Sequence, residues 1–464
     1  MVFLFLAGYI FQVLALQGWF PVVFPCNVLL SVKNTHLNLY AQIYLLKKEK
    51  TGRNQDSILP DNNIFKEMWE EERTVSYICI ILSKETDMAG IYIHIPFCKT
   101  RCVYCDFYST TRNDLRQRYI GALCKELTLR RDYLQGEAVR TVYFGGGTPS
   151  QLEEQDFLQV FNTLSDVYGL SYCEEITLEA NPDDLTEEYA AMLRRLPFNR
   201  ISMGIQTFDD ATLRLLNRRH NARQAIEAVE CCRRHGFHNI SIDLIYGLPG
   251  ETDERWERDL RQAVALDVEH ISAYHLTYEE GTPLYRMLQA HRVDEVDEDS
   301  SVRFFTTLMD TLSAAGYEHY EISNFCKPGL HSRHNTSYWQ GIPYLGCGPS
   351  AHSFDTRSRE WNIASLEKYI SAIEEKNRCY EKEELSPTTR YNECVMTSLR
   401  TRRGIDLPTL EARFGQSLSD YCNTMAAPYL RSGKLELQDN HLRLTREGIF
   451  VSDGIISDLM FVEE

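Results

Sequence analysis

The stretch Gly90–Thr110, GIYIHIPFCKTRCVYCDFYST, places Cys98, Cys102 and Cys105 directly behind a strand-like run. Structural zinc asks for four ligands, usually as two separated pairs, and no fourth is evident nearby. An iron–sulfur cube held by three thiolates keeps one iron open, which is useful when something else binds that iron. Three buried structural cysteines fit poorly in a turn flanked by Lys99, Thr100 and Arg101. The spacing C-x3-C-x2-C points to a [4Fe–4S] cluster with one open site.

Outward from this stretch, short β-rich runs alternate with amphipathic ones. Strands are predicted at 91–96, 141–147, 175–181, 200–206, 239–249 and 270–277, and helices at 113–134, 151–168, 186–196, 221–235 and 253–267. Strands alternating with helices make βα units on a parallel sheet. Six of them predict an α/β fold, a TIM-like partial (β/α)6 barrel with its site at the C-terminal ends of the strands. The cysteines, the glycines 145–147, Glu179, Gln206 and Asp243 all fall at such ends. Past residue 300 the pattern changes. A helical run leads to the Gly/Pro/aromatic-rich segment 326–354, expected to form a rigid loop. From about 386 the chain reads as mostly helical, closing with KLELQ and HLRLT, a winged-helix-like module.

The chain has 464 residues and a net charge of −17, without the basic stripe of a nucleic-acid binder. Its 14 cysteines are scattered over a long chain and do not read as the disulfide framework of a small secreted domain. A reducing cytoplasm is expected. From Met1 to Val32 there is no Asp, Glu, Lys or Arg, and residues 33–87 run polar and irregular. We expect residues 1–87 to be a non-core extension, as a start assigned too far upstream would produce. A membrane anchor is the alternative, since the apolar length permits a span.

CKTRCVYC, with an aromatic residue before its last cysteine, resembles the radical S-adenosylmethionine (SAM) superfamily. YIHIPFC, FGGGTPS, SMGIQTF, IDLIYGLPGET and RHNTSYWQG resemble its coproporphyrinogen-III-oxidase-like group, from about residue 90 to the C-terminus. The resemblance implies that the open iron takes the amino and carboxylate groups of SAM and that an electron from the cluster yields a 5′-deoxyadenosyl radical. It also implies SAM contacts from Tyr92, Tyr104, Gly146, Gly147, Thr148, Glu179, Gln206, Arg218 and Asp243. Taken alone, Gly145–Gly147 is equally a tight turn, Glu179 a barrel-mouth ion pair, and Gln206, Arg218 and Asp243 structural hydrogen-bonding residues. Arg219 is an equally plausible neighbour to Arg218.

Within the group, oxygen-independent oxidases carry a fourth cysteine where this chain has Phe107, in CDFYS. The HemW-type heme chaperones have an aromatic residue there and an H-N-x-x-Y-W segment, matched by His334, Asn335, Tyr338 and Trp339. A histidine can ligate heme iron axially and aromatic rings can pack on the macrocycle. His331, His352 and Cys347 are further candidate ligands. The domains expected are therefore the barrel at 88–300, a barrel-completing and heme-binding segment at 301–385, and the winged-helix-like module at 386–464. The expected function is to bind a [4Fe–4S] cluster, SAM and heme, and to pass heme to acceptor hemoproteins, with an electron donor if SAM is cleaved. The alternatives are an oxygen-independent coproporphyrinogen III oxidase and a radical SAM enzyme acting on an unrelated substrate.

Overall fold

A computed structural model describes residues 88–463. The expected N-terminal extension, and with it the anchor alternative, lies outside the described residues. Among them no helix is long and apolar enough to cross a membrane.

Six strands, β1 (Met88–Ile95), β2 (Ala138–Gly146), β3 (Glu175–Ala180), β4 (Arg200–Gln206), β5 (Ile240–Tyr246) and β6 (His270–His275), pair in sequence order, all parallel. Their period-two alternation explains the curl. On β1, Ile91, Ile93 and Ile95 are fully buried in the main core, whereas Tyr92 and His94 point to the opposite face. On β4 the same split puts Ile201, Met203 and Ile205 in the core, and Arg200, Ser202 and Gly204 on the inner face. The apolar face is covered by helices and the polar face lines the barrel interior. Phe144 on β2, Phe157 and Phe161 on the helix Glu154–Tyr168, and Phe198 pack edge-on or tilted at 5.1–5.8 Å. Such pairs add about 0.5–1.5 kcal/mol each beyond area burial, and they fix the glycine run at the end of β2.

Segment 326–354 is not the rigid loop expected of it but carries strands and a helix, and with its flanks it adds strands to both barrel edges. β7 (Glu318–Glu321) and β8 (Asn324–Cys326) extend β6 antiparallel, while β9 (Tyr344–Cys347) lies parallel to β1 and continues through β10 (His352–Phe354), β11 (Ser358–Asn362) and β12 (Tyr380–Glu384). Between these sets lies the helix Arg333–Trp339. Its first N–H groups, from Arg333 and His334, donate to the buried carboxylate of Glu175 at 2.9 Å, and Ser332 caps Asn335. The C-terminal residues form helices around a small antiparallel sheet of β13 (Ile405–Asp406), β14 (Leu435–Gln438) and β15 (His441–Leu444) in the order β13-β15-β14. Their core cluster also takes in Tyr274 of β6 and Trp339.

Candidate functional site

The cysteine loop leaves β1 at Pro96 and is closed at its base by two backbone bonds, Cys98 N–H to Thr110 O at 2.9 Å and Thr110 N–H to Pro96 O at 2.7 Å. Asp184, 3% exposed beyond β3, clamps the loop and its surroundings. Its carboxylate accepts Lys99 Nζ at 2.9 Å, Ser150 Oγ at 2.8 Å, Gln151 Nε2 at 2.6 Å and Arg219 Nη2 at 3.0 Å. Cys98, Cys102, Cys105, Tyr104, Gly146, Gly147, Thr148, Glu179, Gln206, Arg218 and Asp243 all line one cleft at the C-terminal strand ends. Phe107, buried, completes its wall.

Two donors reach the sulfurs: Thr148 Oγ1 to Cys98 Sγ at 3.2 Å, and Arg218 Nη1 to Cys102 Sγ at 3.4 Å. Burial, then the neighbouring Cys102, pushes the Cys105 thiol up to about 12, and burial raises Cys98. Unligated, these thiols stay protonated at neutral pH. They become thiolates when a cationic metal centre supplies the missing charge. Three thiols from one loop, with no fourth cysteine lining the cleft, leave one iron of a four-iron cluster open.

The ligand side of the cleft is built from strand ends. Glu179 accepts Tyr143 Oη at 2.7 Å and the Gly146 N–H at 3.2 Å, which ties the glycine turn to β3. Gly146 has φ +107°, and a Cβ there would meet the His94 ring at 2.7 Å, so the turn needs glycine. A bulge after Gly204 gives Gln206 φ +72° and turns its side chain into the cleft. Bulges beside functional sites re-aim side chains in this way. Both polar atoms of the Gln206 amide are buried without a partner, a deficit of about 1–3 kcal/mol that a polar ligand can fill. Asp243 is pushed up to about 6, first by burial and then by the charge of Glu179. Three thiols, an unpaired amide and two carboxylates over a glycine turn fit an iron–sulfur cluster with a polar amino-acid-like ligand beside it.

Two of the expected site residues, Tyr92 and His334, do not line this cleft. Tyr92 lies one layer beneath the cleft, its hydroxyl 3.1 Å from His94 Nδ1 and its ring stacked on Tyr143. His334 points into the barrel interior, fully buried, with Nδ1 2.8 Å from Thr141 Oγ1 and Nε2 2.8 Å from Tyr338 Oη. Both nitrogens are engaged, with Tyr338 and Trp339 buried and Asn335 half-buried behind the ring. The Arg218–Arg219 ambiguity also resolves. Arg218 faces Cys102 and Asn181, while Arg219 pairs with Asp183 and Asp184. Asn181, Asp184 and His94 escaped the sequence reading, although the run NPDD after a strand end and the polar His94 inside YIHIP were visible signals.

A radical SAM superfamily model matches residues 92–263, and a HemN C-terminal domain model matches 385–451. The solved structure of coproporphyrinogen III oxidase (HemN) from Escherichia coli, described as a radical SAM enzyme, superposes with a TM-score of 0.71 over 80% of this chain and 90% of that one. At 23% identity it speaks for the fold alone. The heme chaperone HemW of Mycobacterium tuberculosis is 34% identical over 376 residues, 80% of this chain and 94% of that protein. HemW of Bacillus subtilis is 32% identical over 79% of this chain and 98% of that protein. A mitochondrial radical S-adenosyl methionine domain-containing protein 1 from Danio rerio is 29% identical over 80% of this chain and 87% of that protein. With such identity along nearly the whole length of its relatives, the chain belongs to the HemW family of the radical SAM superfamily.

Proposed function

We propose that this chain is a heme chaperone that holds a [4Fe–4S] cluster on Cys98, Cys102 and Cys105, binds SAM beside it and delivers heme to acceptor hemoproteins. The observation that carries the cluster is that Cys98, Cys102 and Cys105 line one cleft without a fourth cysteine, Phe107 standing in its wall. Glu179, Gln206 and Asp243 are placed to receive the polar end of SAM, and Gly146, Gly147 and Thr148 give its main chain room. When bound, the cluster supplies a one-electron centre and its open iron a chelation site. Heme handling rests on the likeness to curated heme chaperones. The free thiols of every described cysteine favour a reducing compartment. Residues 88–385 act in this reading as one cluster-and-ligand unit, with 386–464 as an appended module.

The test is made anaerobically with the reconstituted full chain, given SAM, a reductant and coproporphyrinogen III, and in parallel given heme and an apo-hemoprotein. Heme transfer without tetrapyrrole conversion is expected. Protoporphyrinogen formation would overturn the chaperone reading in favour of the oxidase.

A further inference from the structure

A second set of metal-ligand atoms converges away from the thiol cleft. The Cys231 sulfur, a His235 ring nitrogen and a Glu187 carboxylate oxygen all lie within 4.8 Å of one another. Among the described residues this is the one group of three His, Cys, Asp or Glu side chains so placed. None of the three lines the thiol cleft.

Two of the ligands are preset by one helix. Cys231 and His235 stand four residues apart at the C-terminal end of the helix Ala222–Arg234, where the His235 N–H donates to Cys231 O at 3.1 Å. Residues i and i+4 share a helix face, so their side chains meet without any rearrangement of the main chain. The third ligand comes from a neighbouring helix. Glu187 opens the helix Glu187–Leu193, whose entry is fixed by Thr186 accepting the Tyr189 N–H at 3.3 Å. Its Oε2 lies 2.7 Å from His235 Nε2, while its Oε1 accepts Arg234. A carboxylate held at one oxygen and free to ligate through the other is the usual outer support of a metal ligand. The other arginine of the last turn, Arg233, is committed to the carbonyls of Leu266 and Asp267.

Zinc bonds of about 2.0–2.3 Å set tetrahedral ligand atoms about 3.3–3.8 Å apart. Rotation of the exposed Glu187 and half-buried His235 side chains reaches that spacing around Cys231, which is 4% exposed and stays in place. An ion pair between His235 and Glu187 alone would need no thiol beside it. Sulfur, nitrogen and oxygen together suit a borderline cation such as zinc, whereas calcium and magnesium take oxygen alone. Thiolate and carboxylate balance its two charges, and the negative end of the helix dipole at His235 favours a cation there.

We propose that Glu187, Cys231 and His235 bind one zinc ion, which ties the helix Ala222–Arg234 to the helix Glu187–Leu193 just beyond the Asp184 clamp. As the S–Zn bond forms, the Cys231 thiol gives its proton to solvent. His235 ligates through Nε2 with its proton on Nδ1, and water takes the fourth position.

The experiment titrates zinc into the cluster-loaded full chain, in which the cleft thiols are already occupied, by calorimetry in buffers of different ionisation enthalpy. Elemental analysis after gel filtration counts the metal retained. One zinc per chain is expected, with a buffer-dependent heat that reports the released proton. Cys231→Ser and His235→Ala should each weaken binding at least tenfold to a hundredfold, the loss that follows when even an outer partner of a metal ligand is removed. Cys379→Ser, at an exposed thiol elsewhere, should bind as the parent does. A parent chain that retains no zinc, or equal affinity in Cys231→Ser and His235→Ala, would overturn the assignment, as would loss of binding in Cys379→Ser.

Discussion

Replacing His334 with alanine separates a packing role from a ligand role. The side chain is fully buried and its two ring nitrogens bond Thr141 and Tyr338 at 2.8 Å each. Emptying a site of this size costs about 3 kcal/mol, at the lower end of aromatic-to-alanine truncations. Two buried hydroxyls lose a partner, at about 1 kcal/mol or somewhat more each. The sum is about 5 kcal/mol. At an unfolding entropy of about 2.1 cal/mol/K per residue, residues 88–463 unfold with roughly 0.8 kcal/mol/K, so the midpoint should fall by about 6 °C. Exposed His352→Ala should stay within about 0.5 kcal/mol of the parent. Scanning calorimetry of the cluster-loaded chain measures both. A His334→Ala midpoint within about 1 °C of the parent would refute the packing role.

Replacing Cys98, Cys102 and Cys105 together with serine should abolish the visible absorbance of the reconstituted cluster; retention of that absorbance would remove them as ligands. Gln206→Leu should leave the midpoint unchanged or higher, because an unpaired buried amide is removed, while weakening SAM about tenfold by calorimetric titration; equal SAM affinity would take Gln206 out of the site. Gly147→Ala should lower SAM affinity in the same titration, because a Cβ there meets the Pro96 and Ile95 backbone at 2.8–2.9 Å; full affinity would show that the turn has slack. Burial pushes the Glu321 carboxyl from its usual 4.5 up to about 7. Between those values the folded state holds a proton the unfolded state has released, so stability falls as pH rises through that window. Glu321→Gln should flatten the midpoint between pH 5 and 8, and parallel pH profiles for parent and variant would contradict it.

The cysteine spacing, the glycine run and the six alternating strands were legible because each is local: a few residues set the motif, and period two sets the face. Segment 326–354 was not, because β9 finds its partner in β1, far back in the chain, and nothing within GIPYLGC announces a parallel pairing at that distance. The direction of His334 was hidden for a similar reason. A histidine followed by aromatic residues looks the same in sequence whether it faces solvent or Thr141. Gln206 was readable as a site residue but not as a bulge with positive φ, which depends on its register against β5. Asp184 was missed because its importance lies in four partners, Lys99, Ser150, Gln151 and Arg219, that the fold alone brings together.

The pairing of β1 with β9, Gly90 beside Tyr344 through Ile93 beside Cys347, also sets a timetable. During synthesis at about 5–20 residues per second, roughly 250 residues separate the emergence of one partner from the other. For about 12–50 s the strand that leads into the three thiols has one bare edge. That edge invites aggregation, and it also leaves the cysteine loop without its final support while the ribosome is still at work. Cluster delivery to a nascent chain has this interval in which to act before the sheet closes.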